Sequence, residues 1–309
     1  MPVVSVVIPA FNAERTVLSA VESALRQTIA DVEVLVVDDG SSDGTRSVLA
    51  AIRDARVSVL SQENRGPAAA RNVGIEAASS PLVAFLDSDD LWLPDYLERA
   101  RTGIARQARP GFAYTDAWAF DPRSGKVRTR SVMAPMRPPD PPPRRPEAFL
   151  LELLRRNFVF TSTVVPRSVL LGVGGFDPEL LRAEDYDLWI RIVAHGFTPV
   201  WVPGRHVLYR VHDGQVTADT QTLDQEFLRM YERMDEALMP EAEHVDLLRR
   251  RRQEAARSLE AATGTTGWRC RRRQARRRLG GLRRRIGLGE VWQPPPPEIV
   301  RAYPDLSAV

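Results

Sequence analysis

Cysteine is nearly absent from this 309-residue chain. The single Cys270 excludes an internal disulfide and a zinc site built on cysteines, which suits a reducing compartment. No run of about 18 apolar residues occurs, so nothing reads as a membrane-spanning helix. No charged-then-apolar leader opens the chain, and Val3–Ile8 is too short for a signal segment. Cytoplasmic placement is therefore expected. Lysine is scarce too: Lys126 is the only one, and arginine carries the positive charge. Ten arginines and no acid lie between Arg269 and Arg285. Removing those ten from the 43 basic residues leaves 33 against 40 acidic ones, so the net +3 hides a body at −7. There is no internal repeat. The length permits one large or two smaller domains with a real core.

What the chain does have is alternation. Val3–Ile8 is an apolar, β-branched run broken only by Ser5, as in a strand buried on both faces; Val32–Val37 reads as the next buried strand, Val57–Leu60 as a third short strand and Leu82–Leu86 as the fourth. Between them, Ala13–Gln27, Thr45–Ile52 and Ala68–Ala78 carry helical spacing. That order predicts a parallel sheet with helices on both sides. The polar loops after the first, second and fourth strands then lie on one edge, so Pro9–Asn12, Asp38–Thr45 and Asp87–Asp90 converge on one cleft.

Further on, a helix is expected to about Gln107, and strands at Phe112–Phe120, Thr161–Val165, Pro199–Pro203 and Val207–Arg210. Pro135–Pro146 holds seven prolines in twelve residues and reads as an extended, mobile loop. Phe149–Arg155 and Ala183–Ala194 read as helices. From Gln221 the chain is mostly helical, and Pro294–Pro297 opens a tail expected to be disordered.

The chemistry concentrates at Asp87, Asp89 and Asp90. Three carboxylates in four residues repel one another, so they need a cation or must take up protons. Asp87 and Asp89 flank one residue and suit a hard divalent ion, whereas Asp90 reads as the cap of the next helix. Plain helix capping is the competing reading for the cluster, as turn chemistry is for Asp38 and Asp39.

Six blocks carry a resemblance: Val-Val-Ile-Pro-Ala-Phe-Asn at 6–12, Val-Asp-Asp-Gly-Ser-Ser-Asp-Gly-Thr at 37–45, Asn-Arg-Gly at 64–66 with Ala-Arg-Asn at 70–72, Asp-Ser-Asp-Asp at 87–90, Gly-Gly-Phe-Asp at 174–177 and Glu-Asp-Tyr-Asp-Leu-Trp at 184–189. In these the chain resembles the family 2 glycosyltransferases, from Val3 to about His212. The resemblance implies an α/β GT-A fold: a Rossmann-like, mostly parallel sheet flanked by helices, here with a helical C-terminal extension. The implied organisation is a glycosyltransferase domain over 1–215, a nucleotide-binding half over 1–94, and an acceptor-binding half over 95–215 containing the proline-rich loop 135–146. An arginine-rich helical extension over 216–290 and a disordered tail over 291–309 follow.

The resemblance also implies roles. Pro9, Ala10, Phe11, Asn12, Glu14, Asp39, Arg65, Arg71, Asp87, Ser88, Glu184 and Trp189 would line the site for a nucleotide-diphospho-sugar, most simply a UDP-sugar. Asp87, Asp89 and His212 would hold Mg2+ or Mn2+. Asp185 would be the general base of an inverting single displacement onto a hydroxyl of a saccharide or lipid-linked acceptor, as in cell-envelope polysaccharide synthesis. Trp189 reads equally as core, and Glu184 and Asp185 as acids favoured at a helix start. The Gln-x-x-Arg-Trp block of polymer-building members is missing, which implies transfer of one sugar at a time. A nucleotidyltransferase and a non-catalytic sugar-nucleotide binder are the alternatives. The first lacks its glycine-rich phosphate loop here, and the second fits poorly with Asp39, Asp87, Asp89 and Asp185 together.

Arg269–Arg285 interleaves Leu279 and Leu282 with its arginines. It reads as a segment lying on an anionic membrane, which would place the protein on the inner face of the cell membrane. A solvated charged helix competes, nucleic-acid binding is the weaker reading, and Gly280-Gly281 interrupts the helix.

Overall fold

The computed structural model describes residues 2–211, 220–263, 292–304 and 306. Among the described residues ten strands form one sheet, in the order 292–293, 126–128, 110–121, 163–166, 82–85, 4–10, 32–39 and 57–62, with 198–210 pairing 91–92 and 110–121. The N-terminal half follows the expected alternation: β1 Val4–Ala10, α1 Val17–Leu25, β2 Val32–Asp39, α2 Thr45–Ala51, β3 Val57–Gln62, α3 Pro67–Ala77 and β4 Leu82–Phe85. These four strands pair in parallel, β1 lying between β2 and β4. Every residue of β1 and β4 is buried, Ser5 of β1 included, as expected of central strands covered on both faces. Gly74 lets α3 settle on the sheet: a Cβ there would meet Val7 Cγ1 at 2.3 Å.

The second half adds antiparallel pairing. β5 is Leu91–Trp92, α4 Tyr96–Ala105, β6 Pro110–Asp121, β7 Lys126–Arg128, α5 Pro146–Arg155, β8 Thr163–Pro166, α6 Arg167–Gly172, α7 Glu184–Ala194 and β9 Thr198–Arg210. β8 runs antiparallel between β4 and β6. The expected pair of strands at Pro199–Pro203 and Val207–Arg210 is one strand, β9. It follows β6 in parallel with register shifts opposite Tyr114–Ala117, so its prolines bend the strand without ending it.

Two helices close the fold, α8 Thr220–Arg233 and α9 Ala242–Thr263. Met230, Tyr231, Met234 and Leu248 join Leu153, Tyr186, Trp189 and Ile190 in one buried cluster. Among the described residues no helix is long and apolar enough to cross a membrane. Arg269–Arg285 and His212 lie outside the described residues.

The disordered tail expected over 291–309 needs correction. β10, Trp292–Gln293, pairs antiparallel with β7, and α10, Pro297–Ala302, packs behind it. Ile299, Tyr303 and Leu306 are buried among Leu91, Phe120, Val127 and Leu208. The Tyr303 hydroxyl donates to the Trp92 carbonyl at 2.6 Å. Pro297 stands in the first turn of α10, where proline costs no hydrogen bond and presets φ.

Candidate active site

The loops after β1 and β2 are fastened to each other. The Asn12 amide N–H donates to Ser41 Oγ at 3.0 Å, and Ser42 N–H donates back to Asn12 Oδ1 at 2.8 Å. Ala13 N–H reaches Thr45 Oγ1 at 2.8 Å, and Gly44 N–H reaches Glu14 Oε2 at 2.8 Å. Asn12 and Glu14 therefore act first as loop fasteners. Pro9 and Ala10 end β1 with buried side chains and can offer a ligand only backbone. Phe11 remains half exposed at the rim.

Asp39 organises the next loop. Its Oδ1 accepts from Gln62 Nε2 at 2.7 Å and from Arg65 N–H at 2.9 Å, and its Oδ2 accepts from Gly66 N–H at 2.8 Å. Arg65 thus supplies its backbone here, and its side chain is exposed. Two carboxylate oxygens offer about four acceptor directions, so one direction on Oδ2 is left for a base or ribose.

Arg71 joins the two halves. It is 4% exposed, its Nη2 lies 2.7 Å from Asp87 Oδ1, and its Nη1 lies 2.6 Å from Glu184 Oε1. Burial works against its charge, but the two flanking carboxylates hold it firmly protonated. Residues from the end of β4 and the start of α7, nearly a hundred positions apart, are brought together by one guanidinium.

Beside that bridge stands Asp185. Burial, and then the adjacent Glu184, push its carboxyl up to about 7 against the pull of Arg71. Its Oδ1 accepts from Tyr186 N–H at 2.6 Å and its Oδ2 from the Thr161 hydroxyl at 3.3 Å. The chain enters α7 through Ala183, which holds a left-handed φ of 71°. Glu184, Asp185 and Asp187 fill the first helical turn, where acids complement the exposed N–H groups.

At the end of β4, Asp87, Ser88 and Asp89 are partly exposed and Asp90 is buried. Asp90 corrects an expectation, for it caps no helix. Leu91–Trp92 form β5, α4 starts only at Tyr96, and Asp90 Oδ1 accepts from Arg210 N–H at 3.1 Å. Burial, with Asp89 and Asp87 nearby, raises its carboxyl well above the usual range. Arg210 also donates from Nε to the Asp89 carbonyl at 2.7 Å, with its guanidinium over the Phe120 ring.

Among the described residues no group of three His, Cys, Asp or Glu side chains is placed to hold a metal. Asp87 and Asp89 nevertheless fit a Mg2+-type ion, which takes one or two carboxylates and completes its shell from phosphate and water. Trp189 is a second correction. It is fully buried against Phe112 and Phe176, with centroids at 4.9 Å and 6.4 Å, and cannot touch a sugar. The sequence reading missed Thr161 and Arg210. Arg210 stands two residues before His212, in the stretch Tyr-Arg-Val-His at 209–212.

A family model for Glycosyl transferase family 2 matches residues 5–132. The succinoglycan biosynthesis protein ExoO of Rhizobium meliloti (strain 1021) is 34% identical over 242 residues, 75% of this chain and 69% of that one. The chain belongs to glycosyl transferase family 2. The UDP-Glc:alpha-D-GlcNAc-diphosphoundecaprenol beta-1,3-glucosyltransferase WfaP of Escherichia coli is 30% identical over 220 residues, 71% of this chain and 81% of that one. Among solved structures, S. aureus TarS 1–349 in complex with UDP-GlcNAc superposes with a TM-score of 0.63 at 19% identity, covering 85% of this chain and 74% of that one. The mannosyltransferase PcManGT of Pyrobaculum calidifontis, in complex with GDP-Man and Mn2+, gives 0.55 at 19% identity, over 90% and 81%. These structures share the GT-A fold, and this family 2 member is a glycosyltransferase of the EC 2.4 type.

Proposed function

We propose that this family 2 enzyme moves one sugar, with inversion, from a UDP-sugar to a hydroxyl acceptor, with Asp185 as general base. The observation that carries this is the Asp185 carboxyl, lifted to about 7 and set beside the Arg71 bridge to Asp87. A base poised near working pH both holds its unprotonated form and accepts a proton readily.

The Phe11–Glu14 and Ser41–Thr45 loops, with Asp39, would cradle the nucleotide. Asp87 and Asp89 would hold Mg2+ or Mn2+, which when bound screens the diphosphate and stabilises charge on the leaving group. Arg71 holds Asp87 toward the donor side and Glu184 toward the acceptor side. Asp185 would take the acceptor proton on Oδ2, whose second lone pair the long Thr161 contact leaves open. Support for UDP comes from the UDP-Glc and UDP-GlcNAc named for WfaP and the TarS complex, and support for a metal from the Mn2+ of PcManGT. WfaP also names a lipid-linked acceptor. Such an acceptor would bring the enzyme to the inner membrane face, where Arg269–Arg285 suits anionic lipid. Flotation with anionic liposomes, with and without residues 264–291, tests that placement; unchanged partitioning without them refutes it.

The deciding measurement is UDP release from a panel of UDP-sugars with Mn2+. Asp185→Asn should keep UDP binding and lose roughly 10²–10⁴ in turnover. Near-normal turnover would remove Asp185 from the base role, and UDP affinity without any UDP release would make the wild-type protein a binder.

A further inference from the structure

Glu226 lies on α8, forty residues past the catalytic segment, and is 7% exposed. Its Oε2 accepts from Leu181 N–H at 2.8 Å and from Arg182 N–H at 3.2 Å. Those are the two residues before Ala183, the left-handed alanine through which the chain turns into Glu184 and Asp185. A left-handed φ is uncommon for a residue with a Cβ and persists where the surroundings over-determine it. Glu226 does not act alone. Arg233 bonds Asp177 at 2.7 Å and Glu179 at 2.8 Å, and Arg229 lies 3.6 Å from Glu179. Positions 226, 229 and 233 fall on one face of α8, so one helix face holds the Asp177–Arg182 stretch.

We infer that Glu226 is a positioning residue for the catalytic base: by tying down the Leu181 and Arg182 amides it forces the Ala183 turn and so sets where Asp185 stands. This rests on Asp185 being the base. The donor-side loops stand on other elements and meet this turn through the Arg71–Glu184 bridge and Leu181 beside Gly66, so the effect falls chiefly on turnover. Glu226→Ala should lower UDP release from UDP-glucose by about tenfold to hundredfold, the scale of a small misplacement of a reacting group. Its affinity for UDP with Mn2+ should stay within about twofold, an expectation set by the separateness of the loops. Glu226→Gln, whose amide oxygen can accept both N–H groups, should retain most turnover. Glycine adopts a left-handed φ without strain. Ala183→Gly in the Glu226→Ala background should therefore recover part of the loss, which a merely structural role for Glu226 would not produce.

Should Glu226→Ala fail to accumulate folded protein, Ala183→Val strains the same turn from the other side and should cost turnover with UDP binding intact. Turnover unchanged in Glu226→Ala or Ala183→Val, loss of UDP affinity in parallel with turnover, or no recovery with Ala183→Gly would each overturn the assignment. Failure of the base reading is separate: it shows as full turnover in Asp185→Asn, whatever Glu226 does.

Discussion

Two carboxylate clusters face each other across Arg71, and they are held in different ways. Asp87–Asp90 ends a central strand, and its backbone is fixed by the sheet, by Arg210 from β9 and by β5 immediately after it. Glu184–Asp185 opens a helix behind a strained turn, and that turn is held by side chains from α8. The cluster proposed to hold the metal, the metal-side cluster, is thus a product of sheet topology, and the cluster proposed to supply the base, the base-side cluster, a product of side-chain contacts from late in the chain. A sheet-held site suits a group that every donor shares. A side-chain-held site can be retuned by substitution without disturbing the sheet.

Removing the link between the clusters should have the largest effect. Arg71→Met leaves Asp87 and Glu184 facing each other without a cation. Breaking a buried pair costs about 3–5 kcal/mol, and the lower end applies because the Asp87 side chain is 32% exposed. UDP affinity and turnover should both collapse. Arg71→Lys, a point charge without the fork that spans two carboxylates, should recover only part of either. Loss of turnover with UDP affinity intact in Arg71→Met would mean that the bridge serves one cluster alone.

Asp89→Ala separates the clusters next. UDP binding by calorimetry should weaken to the level that the wild type shows after divalent ions are removed with EDTA, and EDTA should add nothing further in the variant. A variant that still responds to EDTA would place the ion elsewhere.

Much of the donor half was legible because its signals are local. Mostly apolar runs such as Val3–Ile8 and Leu82–Leu86 allow one reading, and strand–helix alternation then puts their loops on one edge. What stayed hidden depends on distant partners. Asp90 looks like a cap until Arg210 is seen beside it, and β5 is too short to announce itself. Trp189 shares a helix with Asp185, but its own direction is fixed by Phe112 and Phe176. The pairing of Arg71 with both Asp87 and Glu184 is written in no spacing, since it joins residues 71 and 184 across the whole core.

Both clusters hold a carboxyl raised by burial, Asp90 in one and Asp185 in the other, and a substitution at Asp185 reads its share alone. With the folded Asp185 near 7, turnover should climb with pH up to about 7 and then level. Stability moves the other way. The unfolded carboxyl titrates near 3.9, so between there and about 7 the folded chain binds the extra proton, and stability falls as pH rises across that window. Asp185→Asn cannot titrate at this position, so its melting temperature should fall less than the wild type's between pH 5 and about pH 8, a comparison that isolates this carboxyl. Parallel curves would mean that Asp185 keeps an ordinary carboxyl.

The smallest expected effect tests how far the metal-side cluster leans on the C-terminal segment. Tyr303→Phe removes only the hydroxyl that donates to the Trp92 carbonyl at 2.6 Å, two residues past Asp90. The ring stays in place among Leu91, Phe120 and Leu208, so no cavity opens. A buried carbonyl without its donor costs about 1–3 kcal/mol, which should lower the melting temperature by a few degrees. UDP affinity with Mn2+ should stay unchanged, because Arg210 still fixes the Asp89 carbonyl and the Asp90 carboxyl from β9. A melting temperature that holds while UDP affinity drops would reverse this ranking. The segment at 292–306 would then set the metal-side carboxylates itself, and both clusters would depend on contacts from the end of the chain.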